Sequence, residues 1–300
     1  MQILKARKIW IIFSLVLTVL SIVSIGTFGY RTGIDFAGGT NLEIQLANPQ
    51  TPGVDAKQSI IKAYEQVTGA EVAPQSTGGD RYFIRSAQID NQKKNAILAA
   101  LGSSFKQVDE LRFESVDPTI SADILRKAIL AVIVAALGIM FYLAYAFRRV
   151  PKPLTSWDFG LGAIVSLVHD VIVLLGIYSL MSHFLGAEVD GMFIAALLTL
   201  LGFSVHDTIV TFDRIRENLR RRAGEDLEMI CNDSIAETVV RSINTSFTVL
   251  LVLLAMTLFG GATLKFFTLS LLIGVVFGTY SSIFIATPVL LWMGRRRQRS

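Results

Sequence analysis

Six nearly uncharged runs, each about twenty residues or longer, leave this chain few folds to choose from. They are Ile9–Tyr30, Ala128–Phe147, Phe159–Ser182, Met192–Phe212, Ile243–Thr263 and Phe266–Met293. A helix of that length matches the thickness of a bilayer core. In lipid, a helix satisfies its own backbone hydrogen bonds within one segment. The chain is 52% hydrophobic with a mean hydropathy of +0.54, too apolar for an ordinary soluble domain. The first run follows Lys5, Arg7 and Lys8, and Ser24-Ile25-Gly26 could serve a signal peptidase. The run outlasts the ~7–15-residue core of a signal peptide, so it reads as a retained first span.

The segment 31–126 is different: polar, charged and rich in turn signals. Thr40–Ala47 alternates as a strand does. Val54–Thr68 carries Ile60, Ile61, Tyr64 and Val67 near helical spacing, behind a Pro52-Gly53 turn. Glu71–Gln75 and Arg81–Arg85 flank Thr77-Gly78-Gly79-Asp80, a hairpin signal. Asn91–Leu101 reads as a second helix with Gly102 as its C-cap, and Phe105–Val116 as a last strand. The order predicts a small ferredoxin-like βαββαβ domain. The expected fold class is thus a polytopic α-helical membrane protein with six transmembrane helices and one α+β domain. Its parts are 1–30 with the first helix, 31–126 as the extracytoplasmic domain, and 127–300 with the remaining five helices.

Orientation follows from basic residues in the short segments. The N-terminus, Arg148, Arg149 and Lys152 after the second run, Arg214 to Arg222 after the fourth, and Arg295 to Arg299 at the end are basic. The segment after the third run carries Glu188 and Asp190 without Lys or Arg. Both termini are therefore expected in the cytoplasm and 31–126 outside. The basic tail and loop also suit contact with anionic membrane lipids. Cys231, the one cysteine, falls in a charged stretch read as a loop, so no intramolecular disulfide forms. No phosphate-binding or dinucleotide motif is present, and no zinc spacing. Neither an enzymatic role, a cofactor nor nucleic acid is indicated.

Charges inside the apolar runs carry the functional signal. A charged side chain in lipid costs ~2.5–3.5 kcal/mol on the lenient scales. His206-Asp207 interrupts the fourth run about one and a half turns from its charged end. Asp207 reads as a proton-carrying carboxylate or as a buried polar contact. Arg241, just before the fifth run, suits a counter-charge or a snorkelling arginine. His169-Asp170 in the third run repeats the motif around Asp207, Val-His-Asp-x-Ile-Val. His169, Asp170 and Asn244 are relay candidates, with helix–helix polar contacts as the alternative. Gly274 and Gly278, four apart in the sixth run, permit close helix packing.

Three stretches resemble one family. Gly33-Ile34-Asp35-Phe36-Ala37-Gly38-Gly39-Thr40, the stretch Phe203–Glu217 (FSVHDTIVTFDRIRE) and Gly278–Pro288 (GTYSSIFIATP) are similar to signatures of the SecF family, a half-size branch of the RND superfamily. The resemblance implies a bacterial inner-membrane subunit that pairs with SecD. It would use the proton-motive force to help preproteins leave the SecYEG channel after SecA has acted, with YajC a further partner. It places the family's functional aspartate on Asp207 and its arginine on Arg241, and gives Gly33, Asp35, Gly38 and Gly39 as the motif outside the first span. An RND-like exporter of small solutes or lipids, and a translocon scaffold without a coupling role, are the alternative functions.

Overall fold

The computed structural model describes residues 3–49 and 55–299. The expected turn at Pro52-Gly53 and the start at Val54 lie outside them. The chain forms two compact units, Thr32–Lys127 and Met1–Arg31 with Ala128–Ser300.

In the first unit, β1 (Gly39–Pro49), α1 (Ala56–Thr68), β2 (Gln75–Gly78), β3 (Arg81–Ser86), α2 (Asn91–Gly102) and β4 (Phe105–Val116) follow one another. The sheet order is β2-β3-β1-β4, every pair antiparallel. Alternation along β1 sends Leu42, Ile44 and Leu46 into a core completed by Ile60, Tyr64, Ile84, Ile97 and Leu101. Asp55 and Asp90 cap the two helices, accepting from the Lys57 and Lys93 backbone N–H groups. That supplies acceptors that helix starts lack.

Two sequence expectations shift here. The second strand lies at Gln75–Gly78, not at Glu71–Gln75. Pro74 has no N–H to give to a ladder, so pairing starts after it. Gly78, Gly79 and Asp80 all take positive φ, which lets the hairpin close directly behind that strand. Gly102 does not cap α2; it is the last helical residue, and Ser103 ends the helix in the right-handed region.

Six helices among the described residues are long and apolar enough to cross a membrane: Leu4–Phe28, Pro118–Ala146, Ser156–Leu185, Gly191–Arg221, Leu227–Phe259 and Leu264–Gln298, called spans one to six below; apart from the first ten residues of span two they belong to the second unit. Spans three, four and six bury half or more of their apolar windows, whereas spans one, two and five bury far less. The centre is aromatic: Phe147 stacks on Phe159 at 4.5 Å, and Phe212 meets Phe159 edge-on at 5.1 Å.

Several helices outrun their apolar stretches. Span three starts at a capping box between Thr155 and Asp158. Span five begins at Leu227, capped by Asp226, because Leu227, Ile230, Cys231 and Ile235 form a buried stripe at helical spacing. Cys231 is therefore a buried helical residue, not a loop residue. Arg241 likewise lies well inside a helix rather than at its start. Span six turns π-helical at Ser282–Ala286 before continuing to Arg299.

Glycines set three close approaches. A Cβ on Gly176 of span three would sit 2.3 Å from Ser21 Cβ of span one. The same contact is tied by Ser24 Oγ donating to the Gly176 carbonyl at 3.0 Å, and Ser179 Oγ donating to the Ser24 carbonyl at 3.1 Å. Gly274 and Gly278 of span six abut Leu200 and Ser204 of span four, at 2.8 and 3.0 Å from the Cβ each would carry.

Candidate functional site

The site grows from a stripe on span four. Ser204, Asp207, Thr208 and Thr211 recur at i, i+3, i+4 and i+7, so all four face one side. All four are buried. They meet serines and threonines of spans five and six, because hydroxyl side chains bond across helices where lipid offers no partner.

The two intramembrane carboxylates differ in their surroundings. Asp170, 1% exposed on span three, is well satisfied. Its Oδ2 accepts from Ser204 Oγ of span four and Ser281 Oγ of span six, each at 2.7 Å. Ser166, one turn away, donates to Ser281 Oγ at 2.9 Å. His169 Nδ1 lies 3.1 Å from Asp170 Oδ1, while its Nε2 is buried without a hydrogen-bond partner. Asp170 thus pins three spans together.

Asp207 is 2% exposed but more loosely held. Ser246 Oγ of span five donates to its Oδ2 at 3.3 Å. The same hydroxyl is shared with Thr279 of span six at 2.6 Å. Ser242, one turn before Ser246, is buried beside the carboxylate, and Thr279 of span six reaches it as well. Adjacent hydroxyls continue the seam: Thr208 with Ser282 at 2.8 Å, and Thr211 with Thr238 at 3.4 Å.

Arg241 is not brought to Asp207. It is exposed, and among the described residues it joins no ion pair. The reason is angular: Ser242 and Ser246 occupy the inward face of span five, and Arg241 precedes Ser242 by about 100° of helix rotation. His206 and Asn244 are exposed as well. Asn244 thus lies outside the buried hydroxyl seam around Asp207. The polar residues missed in the sequence are Ser204, Ser242, Thr279, Ser281 and Ser282. Their signal was present, as hydroxyl residues at helical spacing within otherwise apolar runs.

The family-motif residues lie in the other unit. Gly33 is the N-cap of a short helix, Ile34–Ala37, whose first turn contains Asp35. Gly38 has φ +74° and Gly39 φ +118°, both left-handed. A Cβ on Gly38 would come within 2.9 Å of Pro118, and one on Gly39 within 2.7 Å of the Ser86 carbonyl oxygen. The two glycines therefore shape the chain as it turns into β1.

Together these features define a polytopic membrane protein whose third to sixth spans share a buried polar seam, with a small α+β domain between the first two spans. Comparison with known proteins carries this further. Residues 96–296 match the family model described as protein export membrane protein SecD/SecF, C-terminal. The protein translocase subunit SecF of Thermobaculum terrenum is 41% identical over 97% of this chain and 93% of its own. That of Anaerolinea thermophila is 38% identical, with the same two coverages, 97% and 93%. The crystal structure of SecDF, a translocon-associated membrane protein from Thermus thermophilus, superposes with a TM-score of 0.79 at 29% identity, covering 97% of this chain. A SecDF structure in a super-membrane-facing form gives a TM-score of 0.69, also at 29% identity, over 100% of this chain. The chain spans 38% and 39% of the length of those two SecDF chains. The chain belongs to the SecD/SecF family of protein-export membrane proteins, on its SecF side.

Proposed function

We propose that this chain is the SecF-type half of a proton-driven accessory to the Sec translocase, with Asp207 as the proton-carrying carboxylate. The observation that carries the assignment is the contrast between the two buried aspartates. Asp170 has short hydroxyl contacts from two other spans. Asp207 has hydroxyls of spans five and six around it, Thr279, Ser242 and Ser246, and the Ser246 contact is long at 3.3 Å. A carboxylate that must gain and lose a proton needs partners it can release, and Asp207 has them.

Arg241, His206 and Asn244 lie exposed on spans four and five. Polar groups are costly against lipid. Their exposure supports a SecD-type partner whose own six spans would cover this face. In that assembly Arg241 would be positioned as a counter-charge that comes and goes with the state of the transporter. The role is mechanical rather than enzymatic. One elementary charge crossing 100 mV supplies about 2.3 kcal/mol, enough to bias a two-state domain about fifty-fold.

The moving part would be the 32–127 unit, on the outer side of a bacterial inner membrane with both termini in the cytoplasm. Its strand order, read from the far edge, is β4-β1-β3-β2, which supports a ferredoxin-like fold. SecYEG, an indirect link to SecA, a possible contact with YajC and the exported preprotein complete the proposed setting.

The test is preprotein export into membrane vesicles, with and without an uncoupler. Asp207→Asn should remove the uncoupler-sensitive part and leave the ATP-driven part, as should Arg241→Met, and the double variant should be no worse than either. Full uncoupler-sensitive stimulation in Asp207→Asn would refute the assignment. Transport of a small solute without any preprotein would instead favour an RND-like exporter.

A further inference from the structure

Two cavities meet where spans one and six run side by side at the chain's terminal end. The first has a volume of 340 Å³ and is lined by Arg7, Arg295 and Arg296 with Ile11, Pro288 and Trp292. The second has a volume of 430 Å³ and continues past Leu15 of span one and Ile285 and Val289 of span six to Val165 of span three. Ile11, Pro288 and Trp292 line both, so the two are one groove with a basic end and an apolar end. The basic end is only partly neutralised. Arg7 pairs with Glu228 Oε2 at 2.9 Å, and Arg295 pairs with Glu228 and, at 3.8 Å, with Asp226. Arg296 lies over the Trp292 ring at 5.6 Å and joins no ion pair among the described residues. Three guanidinium groups against two carboxylates leave one net positive charge.

From this we infer that the groove is a site for one anionic phospholipid. Its phosphate would sit at Arg296 beside Arg7 and Arg295, and one acyl chain would run along Ile11, Leu15 and Val289. The charge argues for an acidic headgroup, since arginine matches phosphate oxygens in a fork geometry. Arginine and tryptophan at one level also mark the boundary between headgroups and acyl chains. A soluble anion would have no use for the apolar half, and a zwitterionic lipid brings its own cation with its phosphate and so leaves the net positive charge of the site uncompensated. The inference requires only that spans one and six lie in a membrane; it does not rest on the export role or on Asp207.

Trp292 supplies the measurement. In the full chain with Trp10→Phe and Trp157→Phe, it is the remaining tryptophan. The chain is placed in phosphatidylcholine vesicles containing a small fraction of lipid brominated on its acyl chains. Brominated phosphatidylglycerol should quench Trp292 about fivefold more effectively than brominated phosphatidylcholine, the preference expected of one net charge near a membrane surface. Arg296→Gln should abolish that preference while leaving quenching by phosphatidylcholine unchanged, and Arg296→Lys should retain most of it. Excess inorganic phosphate should have no effect. Equal quenching by the two lipids in the parent protein would overturn the inference, and that comparison decides even if Arg296→Gln fails to insert. Retained preference in Arg296→Gln, or relief of quenching by phosphate alone, would overturn it as well.

Discussion

Replacing Gly176 with alanine should separate spans one and three. The added Cβ would lie 2.3 Å from Ser21 Cβ and 2.4 Å from Ser21 Cα, where ordinary contact begins at 3.4 Å. The helices must therefore part by about 1 Å, the difference between 3.4 and 2.3 Å. Ser21 cannot yield by changing rotamer, because the clash includes its backbone. Overpacking of this kind costs ~1–3 kcal/mol. Parting the helices also stretches the bonds from Ser24 Oγ to the Gly176 carbonyl and from Ser179 Oγ to the Ser24 carbonyl. At ~0.6 kcal/mol for each interhelical bond in a membrane, the total comes to about 2–4 kcal/mol. The assay is reversible unfolding by titration from mild detergent into dodecyl sulfate. Gly138→Ala in span two is the control, since nothing lies within 4 Å of its added Cβ. That change should be neutral or stabilise by up to ~1 kcal/mol through helix propensity. If the two variants differ by less than about 0.5 kcal/mol, the close approach at Gly176 is not what holds the first span.

Other perturbations separate the roles of individual groups. Asp170→Leu removes the acceptor of Ser204 and leaves Ser281 with the Gly278 carbonyl at 3.1 Å, so it should cost about 1–3 kcal/mol more in the same titration than Asp170→Asn, which keeps an acceptor oxygen for both hydroxyls. Gly39→Ala forces a Cβ to 2.7 Å from the Ser86 carbonyl at φ +118°; limited proteolysis should then cut the 32–127 unit several-fold faster while the spans persist. Asp117, whose carboxylate accepts from the Thr119 hydroxyl and the Thr119 backbone N–H, is held below the ordinary carboxylate range by those bonds. Its folded value is depressed, so the stability it confers is present above about pH 4 and is lost as the pH falls through the lowered value. Thermal unfolding of Asp117→Ala should accordingly show a weaker acid dependence than the parent below about pH 4.

Much of the architecture could be read from the residues, and the exceptions have identifiable causes. Runs of apolar residues locate six spans because lipid admits few alternatives. Their ends were misplaced where a helix continues beyond the apolar run, as at Leu227–Arg241. There the helix is held by a buried stripe of Leu227, Ile230, Cys231 and Ile235 rather than by overall hydropathy. The strand at Gln75–Gly78 was displaced by Pro74, whose missing N–H outweighs a plausible alternation. In the site, charge made Asp207 and Asp170 conspicuous, but charge could not tell them apart. The distinction lies in which hydroxyls reach each carboxylate, and that depends on how spans four, five and six rotate against one another. Ser14, Ser21 and Ser24 of span one passed as neutral residues in an apolar run, though all three are buried where other helices meet the span.

The π-helical segment at Ser282–Ala286 makes span six a screw with two phases. Each π turn holds one more residue than an α turn. Side chains after Ala286 are thus rotated by roughly 100° from where a continuous α-helix would place them. The half before it is keyed to span four by Gly274 and Gly278. The half after it presents Pro288, Val289 and Trp292 to span one. Losing one residue within the segment would restore an unbroken spiral and swing the later half out of alignment while the earlier half stayed seated. Length, and not only residue identity, is therefore under constraint across these five positions. A relative with one residue fewer there should have reworked the whole face that its last helical turns offer to span one.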